Sequence, residues 1–130
     1  MATYIPRGNQ KRQVARSRLF NIDNGAAATI DDVLLRHSQA IKLLEGRIVY
    51  TTETAGTVAA ANIRIGTTVA GTQIAAATAY TNSAAVGSAT AITLVQTEIP
   101  ANTPVITRHT GIAATAAGEA YVELEYEVLP

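Results

Sequence analysis

The side chains that could do chemistry in this chain are few, and their spacing argues against a reaction centre. His37 and His109 are the two histidines, far apart in sequence. A two-histidine, one-carboxylate metal site would need a third ligand that the pattern does not place. Each therefore reads as a surface or interface histidine. Asp31 and Asp32 form an adjacent carboxylate pair of the kind that acid–base catalysis uses. Neighbours on a strand, however, point to opposite faces, and on a helix the pair would simply favour its N-terminus. The run from Gly66 to Thr72 has the glycine spacing of a phosphate loop but lacks the lysine that reaches the phosphates, so it reads as a turn. Glu123, Glu125 and Glu127 share one face with no convergent base or nucleophile, which makes them a solvated or intersubunit stripe. Cysteine is absent, which excludes disulfides and thiolate ligation. The expectation is a protein without catalysis, metal or cofactor.

Charge is the more informative signal. The formal net charge is zero, yet residues 1–20 carry Arg7, Lys11, Arg12, Arg16 and Arg18 with no acid. The remaining 110 residues hold five basic and ten acidic side chains, so a +5 segment precedes a −5 body. Such asymmetry suggests a basic arm over 1–20 on a mildly acidic body over 21–130. Tyr4, Ile5, Val14, Leu19 and Phe20 interleave with the charges and would anchor the arm on an acidic partner. Free in solution, the arm is expected to be loosely held. No apolar run approaches the ~20 residues that cross a bilayer, and the first residues lack a secretory pattern. The expectation is a soluble protein made in the cytosol, with no membrane partner.

The elements that must position these residues read as strands. Ala120, Val122, Leu124, Tyr126 and Val128 alternate with Tyr121 and the three glutamates, the period-two pattern of a half-exposed strand. Further β-rich runs fall at 46–53, 61–66, 73–80, 89–96 and 104–109, with turns marked by Gly and Pro between them. Short strands at this spacing imply an all-β sandwich or barrel. Residues 29–46 are ambiguous. Ile30, Val33, Leu34, Ile41 and Leu44 fit one helix with a Thr29 capping box, while Val33, Leu35, Ile41 and Leu43 fit two strands. Alanine and threonine make up about a third of the chain. Small side chains bury little area each, at roughly 25 cal/mol per Å². A core built from them would be marginal, which argues for an oligomer.

The run Asp31 to Arg36, then Ala40 to Leu43 and Arg47 to Tyr50, resembles the opening of small virion proteins of tailed bacteriophages. So do Asn62 to Thr68, Ala91 to Leu94 and the acid-rich strand Tyr121 to Val128. The similarity covers residues 29–130 through short, degenerate motifs, and its nearest family is the capsid decoration (cement) proteins. It implies a jelly-roll-like β-sandwich with strands at 32–36 and 40–44, a homotrimer, and a seat on the capsid exterior against the major capsid protein. A contact arm of Ile5, Arg7, Lys11, Arg12, Arg16, Arg18, Leu19 and Phe20 would spread over the shell. Two other function classes stand beside it. One is a trimeric tail-fibre or receptor-binding head, though neither a coiled-coil nor a repeat-rich shaft is present. The other is a nucleic-acid or carbohydrate module, for which one Phe and no Trp offer scant stacking.

Overall fold

The computed structural model describes residues 12–113 and 116–130. It is all-β, with ten strands and no helix among the described residues: β1 Gln13–Arg16, β2 Phe20–Asn21, β3 Thr29–Arg36, β4 Ile41–Tyr50, β5 Asn62–Gly66, β6 Ala75–Ala79, β7 Ala89–Ile92, β8 Glu98–Ile99, β9 Pro104–Thr110 and β10 Glu119–Val128. One sheet runs β1-β10-β4-β7, with β2 extending the β1 edge along β10 and β8 extending the β7 edge along β4. The second runs β3-β9-β5-β6. Every pairing is antiparallel. The chain changes sheet at every connection except β1–β2, β5–β6 and β7–β8, so the two sheets form one sandwich.

The ambiguous stretch 29–46 is two strands, not a helix, and two bulges explain its misleading periodicity. In β3, Val33 opposes Ile106 and Leu35 opposes Val105, leaving Leu34 as the extra residue. Leu34 turns into the core while Val33 stays exposed. In β4, Leu43 opposes Tyr126 and Glu45 opposes Glu125, leaving Leu44 unopposed. One inserted residue shifts the alternation, so Ile41 and Leu43 point inward before the bulge, and Gly46, Ile48 and Tyr50 after it. The strand thus merges two expected elements, 40–44 and 46–53, into one. Gly46 allows a close approach there: a Cβ would lie 2.8 Å from Leu124 Cδ2, so Leu124 would have to shift.

The core corrects the expectation of a thin interior. Ile41, Ile48, Ile63, Ile65, Ile74 and Ile99 are buried with Tyr50, Tyr80, Phe20, Leu43 and Leu124. Each such side chain contributes roughly 1.5–3 kcal/mol by leaving water. Much of the alanine lies instead on exposed positions such as Ala76, Ala77, Ala79 and Ala91. The scarcity of large residues is a property of the outer strands and loops, not of the centre.

Candidate interaction surface

The described part of the basic segment is built into the first sheet. Gln13 to Arg16 pair with Tyr126 to Glu123 of β10. Directly opposed residues of neighbouring strands share a face, so Arg12, Val14 and Arg16 stand on the outer side beside the glutamate stripe. Arg16 Nε meets Glu123 at 3.1 Å and Arg12 meets Glu125 at 3.3 Å. Arg47 of β4 closes the row from the other side, reaching Glu45, Glu123 and Glu125 within 3.4 Å. Its hydrogen bond to Glu125 holds the Arg47 pKa above the ordinary guanidinium value, the nearby carboxylate charges adding to it against desolvation. Arg16 also lies over the Tyr121 ring, 5.5 Å from its centroid. The side chain of Glu123 is only 10% exposed because two arginines cover it.

Other residues of the expected contact arm separate here. Ile5, Arg7 and Lys11 lie outside the described residues. Arg18 hangs on β3 through its backbone, the amide donating to Asp32 Oδ2 at 3.0 Å, and its side chain is exposed. Leu19 is 52% exposed. Phe20 is different: it is wholly buried and stacks on His109 with ring centroids 5.3 Å apart. Its area is already spent in the chain's own core, so it is not free to dock elsewhere. Of the arm 1–20 expected to be loosely held, Gln13–Arg16 form instead a paired strand. Val14, 49% exposed, and Val33, 59% exposed, are further exposed apolar side chains, on β1 and β3 respectively. Val33 and the neighbouring Arg36 of β3 were missed from sequence, since only the bulge at Leu34 turns Val33 outward.

His109 is a core residue, not a surface one. Its Nε2 lies 3.1 Å from Asn24 Oδ1, which can only accept, so Nε2 carries the proton. Tyr80 then donates its hydroxyl to Nδ1 at 2.7 Å. Burial lowers the His109 pKa to about 4, a hydrogen bond to the Asn21 backbone opposing the shift. Burial, with the neighbouring Tyr50 hydroxyl, pushes the Tyr80 phenol well up. A Cβ at Gly111 would overlap Asn24 Oδ1, so glycine there lets the amide reach the ring. The parity of Val105, Thr107 and His109 was the signal for this burial. His37 is half-buried, its Nδ1 accepting from the Gln39 amide at 3.0 Å.

The remaining candidates are structural. Asp31 takes a two-pronged bond from Arg108, at 2.7 and 2.9 Å, which lowers its pKa despite desolvation, with the arginine charge assisting. Asp32 points the other way, as adjacent strand residues do. In the turn between Gly66 and Thr72, Gln73 fills the space a ligand would take, accepting from the Thr67 amide and donating to Thr68 Oγ1. An open cleft of about 520 Å³ lies where β7 and β8 part along β4, lined by Leu44, Gly46, Ile92 and Leu94 with the Glu45–Arg47 pair. Among the described residues no group of three His, Asp or Glu side chains is arranged to hold a metal ion.

No family model matches the sequence, and no curated protein matches it. Among solved structures, a chain of the cyanophage Pam1 capsid asymmetric unit is similar, with a TM-score of 0.61 at 12% identity over 99% of this chain and 93% of that one. The likeness is one of fold, and it extends over the whole sandwich.

Proposed function

We propose that this chain is a structural virion protein: a decoration, or cement, protein that seats on the outside of a phage head and stabilises contacts between major capsid protein subunits. The observation that carries the reading is topological. With the β1/β2-β10-β4-β7/β8 order facing β3-β9-β5-β6, and a chain that alternates between them, the sandwich reads as a jelly roll, an architecture of viral capsid domains among others. The fold likeness to a cyanophage capsid chain agrees with this. The contact surface is the side of β1, where Arg12, Arg16, Arg18 and Leu19 are exposed, together with Ile5, Arg7 and Lys11 upstream. A homotrimer would present that surface three times. Tethered contacts then gain effective concentration, and avidity exceeds single-site affinity by ~10²–10⁴.

The test is binding to stripped heads of the host particle, followed by sedimentation and electron microscopy. The expected result is stoichiometric density at one class of symmetry axis on the outer surface, with the decorated shell resisting higher temperature. Failure to co-sediment, or density confined to the tail, would overturn the reading. The second outcome would move the chain to a receptor-binding role.

A further inference from the structure

We propose that the free edge of β1 is a docking site for an extended segment that alternates acidic and apolar side chains and adds to the sheet as a further strand. Among the described residues β1 pairs with β10 alone. The Ser17 amide donates to the Val122 carbonyl at 2.9 Å, and successive amides of an antiparallel strand face opposite sides. Those of Val14 and Arg16 therefore point away from β10. Arg18 shows the same parity, its amide meeting Asp32 Oδ2 on the β3 side. Two amides and the carbonyls beside them stand at an open edge.

β10 shows what an occupant of β1 looks like. It sets Glu125 opposite Val14 and Glu123 opposite Arg16, and those glutamates hold Arg12 and Arg16. A strand on the other side of β1 meets the same row of Arg12, Val14 and Arg16, and the complement of that row is acid, apolar, acid. The two arginine side chains remain 64% and 63% exposed after pairing with β10, so each can take a second carboxylate. Arg18, which follows β1, has no carboxylate partner for its side chain among the described residues. Backbone hydrogen bonds supply the affinity of such an added strand and alternate side chains its specificity. Basic or uncharged strands leave the arginines uncompensated.

The inference rests on the decoration reading only for the source of the segment, the shell; the edge itself is tested without particles. Full-length protein is titrated with a short capped peptide in which glutamate and valine alternate with threonine, and amide exchange is read by NMR. Exchange at Val14 and Arg16 should slow on binding, and a peptide with lysine for glutamate should not bind. Val14→Pro removes the outward amide without touching the bonds of Ala15 and Ser17 to β10. It should weaken binding at least about tenfold, whereas Val14→Thr should stay within about threefold. The proposal fails if the peptide does not bind at millimolar concentration, binds without protecting those two amides, or binds folded Val14→Pro equally well. In that case the short, charged edge serves only to discourage aggregation. The exchange result on the unsubstituted protein decides the matter even if Val14→Pro does not fold. Heads that bind Val14→Pro as tightly as the parent would overturn the shell as the source of the segment and leave decoration standing. Peptide docking with no head binding would do the reverse.

Discussion

Protonating His109 would put a charge between the Phe20 and Tyr80 rings and force Tyr80 to stop donating to Nδ1. Because the folded-state pKa is lowered to about 4, the unfolded chain takes up the proton first, near pH 6.5. Stability from this group is therefore full above the unfolded value and declines as pH falls from about 6.5 to about 4. The total is on the order of 3 kcal/mol, with no further loss below. Urea midpoints at pH 7 and pH 4.5 should differ accordingly. His109→Gln, though less stable at pH 7, should flatten that slope. At the surface the stakes are smaller: Asp31→Asn should cost ~1 kcal/mol or less. It also leaves Arg108 directly opposite Arg64 without its neutralising partner. Equilibrium unfolding of that variant in low and high salt would separate the two contributions.

At the level of the strand, β4 depends on one close approach and one inserted residue. Gly46→Val would drive a side chain into Leu124 and Leu94 and should cost ~1–3 kcal/mol by overpacking, read as a lowered thermal midpoint. β1 makes a second, sharper prediction. Removing residues 1–18 strips β10 of its partner and uncovers Glu123 and Glu125, so it should lower the midpoint by several degrees. From composition this segment reads as an arm that docks on an acidic partner, not as a strand of the chain's own sheet. Its glutamate partners lie more than a hundred residues downstream, and no local pattern links them. The strands themselves were largely legible, because period-two alternation in β9 and β10 reports burial directly. Where a bulge inserts Leu34 or Leu44, the same alternation breaks and imitates a helix. The burial of Phe20 was hidden for a related reason: it lies beside exposed Leu19 in a charged segment, and only its long-range pairing with Ala120 turns it inward.

For the whole molecule, a core filled by isoleucine and tyrosine removes the argument that this sandwich needs partners to be stable. A trimer would have to be stabilised at its surface instead, where Val14, Leu19 and Val33 are exposed. Sedimentation across micromolar concentrations should give a trimer that dissociates into folded monomers, not one that unfolds as it dissociates. Replacing Arg12, Arg16 and Arg18 together by glutamine should weaken binding to heads and flatten its salt dependence, because steering by charge fades as ions screen it. The position of β10 has another consequence, for time instead of place. It lies between β1 and β4 in space yet follows both in sequence, so its pairing with β1 spans more than a hundred residues. Until it emerges from the ribosome, β1 and β4 have no common neighbour, and neither the arginines nor the facing edge of β4 is covered. Contacts of such separation make folding slow, in the millisecond-to-second range of all-β sandwiches. The nascent chain must therefore stay soluble with half a sheet open, a period in which a lysine or arginine on each bare strand is its protection against sticking to its neighbours.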